Sequence, residues 1–209
     1  MKETGLMFKA PLVRAILEGR KTQTRRIVKR LPLRINRDAN AMEIDVANIE
    51  NGEFAKRIPC PVGKPGDRIY VRETFCYQWS DERGWLDECW FRATTPDVEH
   101  PDGGEKSPWK PAIHMPKAVA RIWLEITSVR VERLQSISRA DAIAEGIQFF
   151  NGDHECGAKN YMDKTDMDYS LCPTDSFETL WKSTGGDWEA NPWVWVIDFK
   201  TISTTGRPA

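Results

Sequence analysis

Apolar and polar positions change rhythm several times along the 209-residue chain, and each change predicts an element. Leu6-Met7-Phe8 is a short apolar run of strand character. Apolar residues then recur at 12, 13, 15, 16 and 17, the spacing of one helical face, with Pro11 suited to the first turn and Gly19 ending the pattern. Residues 19–28 (GRKTQTRRIV) read as a turn running into a strand, because threonines sit among basic residues before Ile27-Val28. The turn at 63–67 (GKPGD) opens an alternating strand over 68–75. In that strand Tyr70 and Arg72 share one face, while Ile69 and Val71 take the other into packing. Residues 90–93 are its expected neighbour.

From 118 to 134 apolar residues occupy odd positions (Val119, Trp123, Val129, Val131) and also even ones (Ile122, Leu124, Ile126). This predicts one long strand, or two broken near Thr127-Ser128. Residues 138–146 (SRADAIAEG) carry a Ser N-cap, an early acid and a terminal glycine, which mark a short helix. A second helix is expected over 175–181, before Gly185-Gly186, and a final strand over 192–199. The pattern yields about six strands and three short helices in a single domain over 1–200. Insertions without sustained period fall at 31–62, 76–116 and 148–174, and 201–209 read as a flexible tail. Short strands with no βαβ rhythm predict a mixed α+β chain built on a small closed or nearly closed β-barrel.

Composition narrows the function classes. Lys and Arg number 30 against 31 Asp and Glu, so a uniformly basic nucleic-acid binder is excluded while a local basic patch is not. That patch exists: between Arg14 and Arg37 there are nine basic side chains and one acid, Glu18, whereas residues 151–190 hold nine acids and three lysines. As runs of charge, these are read as solvated faces or as partners of one another. No apolar run approaches the roughly 20 residues of a membrane span, and the polar N-terminus does not resemble a signal peptide, so a cytoplasmic protein is expected. The five cysteines show no CxxC spacing. His154, Cys156 and Cys172 lack the paired spacing of structural zinc sites, so free thiols, no metal and no cofactor are expected.

With these elements placed, the chain resembles the ASCH-domain family, in the long form found in bacteriophages and prophages. The resemblance is carried by AILEGRKTQTRR at 15–26, GKPGDRIYVRE at 63–73, AIAEG at 142–146, FETLW at 177–181 and NPWVWVIDF at 191–199. It implies a PUA-like β-barrel acting on RNA or modified nucleosides. Around GRKTxTxR the chain is similar to small bacterial enzymes that hydrolyse the acetyl amide of N4-acetylcytidine with a Lys-x-x-Thr pair and a later glutamate. These positions fall on Lys21, Thr24 and Glu145. Another family member is described as a ribonuclease, so a ribonuclease using the same pocket and a non-catalytic RNA-binding module are the alternative functions.

The chemistry that the resemblance implies is coherent. A threonine hydroxyl needs a base, and lysine serves when burial or neighbouring cations lower its pKa. Arg20, Arg25 and Arg26 flank Lys21 and act in that direction. Since alternate strand residues face opposite sides, Lys21 and Thr24 cooperate only if residues 20–24 form a turn or bulge. Arg20, Arg25, Arg26, Arg72 and His114 are the expected substrate- or nucleic-acid-binding residues. At least one of Arg25 and Arg26 is expected to point to solvent, because further cations in the pocket are costly to bury without partners.

Overall fold

The computed structural model describes residues 1–28, 43–47, 54–80, 84–97, 109–150, 157–162, 168–169 and 171–208. Among these lie strands β1 (Glu3–Met7), β2 (Gln23–Ile27), β3 (Glu43–Ala47), β4 (Phe54–Pro59), β5 (Arg68–Arg72), β6 (Phe75–Ser80), β7 (Gly84–Phe91), β8 (Trp123–Arg133) and β9 (Trp193–Ser203). The helices are α1 (Ala10–Leu17), α2 (Arg139–Ala144) and α3 (Pro173–Ser183). Five strands make one sheet in the order β1-β5-β8-β9-β2, with β1 and β5 parallel and the other pairs antiparallel.

The mixed parity of the 118–134 segment has a specific cause. Ile126 pairs with Phe199 and Ser128 with Asp198, which leaves Thr127 as an extra, unpaired residue. A bulge of one residue reverses which parity faces which side. Leu124 and Ile126 before it, and Val129 after it, therefore all enter the same core.

That core lies between the sheet and α1. Val13 and Ile16 of α1 pack with Ile69 and Val71 of β5 and with Trp195, Ile197 and Phe199 of β9. The even residues Val194 and Val196 enter a second core with Leu134, Ile137, Ala142 of α2 and Phe177 and Leu180 of α3. β9 is thus buried on both faces. Each of Val194, Val196 and Ile197 is 0% exposed, and such burial contributes about 1.5–3 kcal/mol per side chain.

The sheet departs from expectation in three respects. Backbone pairing leaves it open, with β1 and β2 as its edges, so closure into a barrel is not made by hydrogen-bonded strands among the described residues. The insertions at 31–62 and 76–116 are not simply loops: they contain the two-stranded hairpins β3-β4 and β6-β7. The latter pairs Trp90 with Cys76, so residues 90–91 neighbour β6, which begins after a break at Glu73-Thr74. Lastly, β9 continues to Ser203, Gly206 N–H donates to Arg121 O at 2.9 Å, and Arg207 meets Glu3 at 3.1 Å. The segment after 200 is tied to the sheet where a flexible tail was expected. No described helix is long and apolar enough to cross a membrane.

Candidate functional site

The segment before β2 is held between two helix ends. Lys21 N–H donates to Ala15 O of α1 and Thr22 N–H to Ala144 O of α2, both at 2.9 Å. The strand starts only at Gln23, so Lys21 is released from strand alternation and its side chain turns inward, 1% exposed. Lys21 Nζ donates at 2.7 Å to each of Gln23 O, Glu145 O and Glu145 Oε2, which uses all three ammonium hydrogens. Glu145 is the C-cap of α2 and is itself buried, 4% exposed. A carboxylate there opposes the helix dipole. Two cations offset this, Lys21 on Oε2 and Arg25 Nη1 on Oε1 at 3.2 Å.

Behind this pair lies an ion network that the sheet register assembles. Gln23 and Arg25 share a face of β2, opposite Asp198 and Val196 of β9, which in turn face Ser128 and Arg130 of β8. α2 lays Asp141 over that stripe. Gln23 Nε2 donates to Asp141 (2.8 Å) and Asp198 (2.7 Å). Arg130 contacts Glu132 (2.7 Å), Asp198 (2.7 Å) and Asp141 (2.9 Å). The Arg25 side chain is 0% exposed and reaches Glu132 at 3.4 Å and Asp141 at 3.6 Å besides Glu145. Burial raises the Asp141 carboxyl, but hydrogen bonds from Gln23 and Ser138 and the charges of Arg130 and Arg25 outweigh it and hold the pKa below its ordinary value. The Lys21 pKa is also lowered, chiefly by burial. The Glu145 carboxylate opposes the shift, and Arg26 and Arg25 add to it.

Thr24 lies on the other face of β2. It is 1% exposed, and its Oγ1 accepts from Arg26 Nη1 at 2.8 Å. Arg26 Nη2 also donates to Met7 O at 3.2 Å, which links the two sheet edges, and the guanidinium stacks 5.2 Å from the Phe8 ring centre. Lys21 Nζ stands 5.9 Å from the same ring. The structure thus brings Lys21 and Glu145 into direct contact, with Thr24 three residues along beside Arg26. Lys21 and Thr24 make no direct hydrogen bond, since Lys21 spends its donors on Glu145 and Gln23. Residues 20–22 lie outside the strand as the catalytic reading requires, but Gln23 and Thr24 are already in it.

The expectation that Arg25 or Arg26 points to solvent is overturned. Arg25 is 2% exposed because Glu145, Glu132 and Asp141 supply its partners, and Arg26 is half-buried with its donors on Thr24 Oγ1, Arg25 O and Met7 O. Among the described residues, the ion pairs of the basic arm go to Glu18 after α1, Glu132 of β8, and Asp141 and Glu145 of α2 and its C-cap. Arg20 is exposed; it binds Glu18 at 2.5 Å and donates to Gly146 O and Ile147 O at 3.1 Å. Arg72 donates to Ile113 O, and His114 is exposed beside that carbonyl. Neither touches Lys21, Thr24 or Glu145. Cys172 is an exposed free thiol, and His154 and Cys156 lie outside the described residues. Among the described residues no cluster of three or more His, Cys, Asp or Glu is suited to a metal.

Beside the buried pair is a cavity of about 360 Å³ whose wall includes Arg14, Arg20, Gly146 and Tyr161. Gly146 belongs to both places, since a Cβ added there would stand 2.7 Å from Lys21 Cβ. Lys21 and Glu145 do not themselves line the cavity. The network residues Arg130, Asp141 and Asp198 and the cavity residue Tyr161 escaped sequence reasoning. Only the even spacing of Ser128, Arg130 and Glu132 on β8 carried a signal for them. Comparison of the chain with protein-family models, with curated proteins and with solved structures finds no match.

Proposed function

We propose that the chain is a hydrolase that cleaves the acyl amide of a modified pyrimidine nucleoside of the N4-acetylcytidine type, with Lys21, Thr24 and Glu145 as the reacting groups. The observation that carries this reading is the buried 2.7 Å Lys21–Glu145 pair, made between residues 124 apart in sequence. A buried lysine with a lowered pKa and a specific charge partner is a candidate proton-transfer group. In this reading the five-stranded sheet is an incompletely closed PUA-like barrel, a view supported by the Arg26 bridge from β2 to Met7 of β1. A substrate drawn from RNA metabolism places the protein in the cytoplasm.

In this reading Lys21 leaves its bonds to the Gln23 and Glu145 carbonyls to reach the Thr24 hydroxyl. Glu145 accepts a proton from Lys21, and the neutral amine takes the Thr24 hydroxyl proton as Oγ1 attacks the acyl carbonyl carbon. Arg26, 2.8 Å from Thr24 Oγ1, is positioned to donate to the developing oxyanion. Collapse breaks the C–N bond while Lys21 returns a proton to the leaving amine. Water then hydrolyses the Thr24 ester, which releases the carboxylic acid and restores the hydroxyl.

A second reading, an RNA-binding module without chemistry, is favoured by one observation. All three Lys21 hydrogens and the Thr24 hydroxyl are already engaged within the protein. Against it, Arg20, Lys21 and Arg25 are paired with Glu18, Glu145, Glu132 and Asp141, which leaves Arg26 as the one cation of residues 20–26 without a carboxylate partner among the described residues. Release of acetate from N4-acetylcytidine by pure protein, abolished by Thr24→Ala and by Lys21→Ala, supports the hydrolase. Activity that survives both substitutions removes it. Steeply salt-dependent RNA binding with no acetate release selects the module, and cleavage of RNA but not of a 2′-deoxy control selects the ribonuclease alternative.

A further inference from the structure

The 360 Å³ cavity carries chemistry of its own. Its size falls at the lower end of small-molecule sites. Two guanidinium groups, Arg14 and Arg20, face one carboxylate, Glu18, on its wall. Arg20 grips that carboxylate through Nε at 2.7 Å and Nη2 at 2.5 Å and gives Nη1 to the carbonyls of 146 and 147, so four of its five donors are committed. Arg14 differs. It is exposed on the outer side of α1, and its guanidinium bonds the Ala93 carbonyl at 3.2 Å, with no carboxylate partner among the described residues. Of its five N–H donors most are left over. The wall therefore presents one uncompensated positive charge with free donors.

The same wall also carries aromatic side chains. Phe149 and Tyr161 both line it. The Tyr161 hydroxyl accepts from Gln148 N–H at 2.8 Å, which leaves its own hydrogen to donate. Burial pushes its pKa up to about 12, so that hydrogen stays in place. An anion-binding guanidinium, a hydroxyl donor and two aromatic side chains around one small cavity match a ligand that joins a phosphate to a flat ring.

We infer that this cavity binds a nucleotide phosphate, with Arg14 on the phosphate oxygens, the Tyr161 hydroxyl donating to the ligand, and the attached base or ribose against Phe149 and Tyr161. The inference rests on the proposed hydrolase only for the identity of the base, cytosine. The phosphate belongs either to a free mononucleotide or to an RNA chain.

Binding to the full chain is measured by titration calorimetry at low salt with cytidine, cytidine 5′-monophosphate and a short cytidine-containing oligoribonucleotide. The monophosphate binds at least about tenfold more tightly than cytidine, the gain of one charge-assisted contact. Arg14→Gln removes that preference and leaves cytidine affinity unchanged. Arg14 is exposed on its helix, so the variant folds; Arg14→Lys keeps part of the preference. Tyr161→Phe weakens both ligands. An oligonucleotide tighter than the monophosphate identifies an RNA chain as the source, and equal affinity identifies the free nucleotide; either result carries the proposal. Equal affinities for cytidine and its monophosphate, or a preference that survives Arg14→Gln, overturns it. The readout needs no turnover. Nucleotide binding without hydrolysis removes the hydrolase and keeps this site, whereas turnover of free nucleoside with no phosphate preference does the reverse.

Discussion

Gly146 and Lys21 are in contact so close that no side chain fits between them. A Cβ on residue 146 would lie 2.7 Å from Lys21 Cβ and 2.9 Å from Ala15 Cβ, and the backbone there has φ +84°. This closeness lets the α2 terminus drop Glu145 onto Lys21 Nζ. Gly185 has nearly the same backbone, φ +85°, but open space around it.

The two glycines therefore separate conformational strain from crowding. Gly185→Ala is expected to cost about 1–2 kcal/mol, the left-handed penalty alone. Gly146→Ala adds about 1–3 kcal/mol of overpacking against the Lys21 and Ala15 side chains. Urea midpoints of the two variants check this. Equal losses would mean that Lys21 moves aside without cost.

Much of this arrangement was legible in the pattern of residues. Ser138 and Gly146 mark the ends of α2, and the structure shows Ser138 Oγ accepting from Asp141 N–H as a cap should. The mixed parity of β8 allowed one long strand or two broken near Thr127-Ser128, and the structure has one strand with a bulge there. The inward turn of Arg25 was not legible. Its burial depends on Glu132 and Asp141, which reach it only through the β2-β9-β8 register and the α2 packing, and such pairings are not local. The hairpins β3-β4 and β6-β7 were missed because their segments show no sustained alternation of apolar and polar positions. Sheet closure was not legible, because strand count says nothing about whether the two edge strands meet.

Asp141 gives the network a signature in acid. Its carboxyl is held below the ordinary value by Gln23, Ser138, Arg130 and Arg25 against the opposing effect of burial. The unfolded chain takes up this proton near pH 3.9, while the folded chain resists it to lower pH. The unfolded state then binds more protons in that window, so stability falls as pH drops through it. Asp141→Asn is expected to be less stable than wild type at pH 7, with a difference that shrinks between pH 5 and 2.5. Denaturant titrations across that range check the sign, and a difference that grows toward acid refutes it.

Lys21 produces the opposite kind of window, in base. Burial holds its pKa below that of an unfolded lysine, about 10.4. Between the folded value and 10.4 the unfolded chain binds the extra proton, so this group makes stability rise with pH up to 10.4. Lys21→Met lacks the titration, and its stability relative to wild type should fall over the same range. A parallel dependence for the two proteins would place the charge of Lys21 in water.

The two partners of the central pair are not equivalent, and substitutions should reveal it. Lys21→Met leaves Glu145 buried but still bonded to Arg25 Nη1 at 3.2 Å, so one cation continues to compensate the carboxylate. Glu145→Gln leaves both Lys21 and Arg25 without that carboxylate, and Lys21 has no other charged partner among its contacts. Removing one member of a buried pair costs about 3–5 kcal/mol when the other is stranded. Glu145→Gln is expected in that range and Lys21→Met below it. In the double variant the stranded lysine is gone, so its cost should be less than the sum of the singles by about 1 kcal/mol or more. Chemical denaturation of the four proteins closes the cycle. Additive losses would show that Lys21 and Glu145 do not depend on one another, and the acid–base role proposed for them would lose its physical basis.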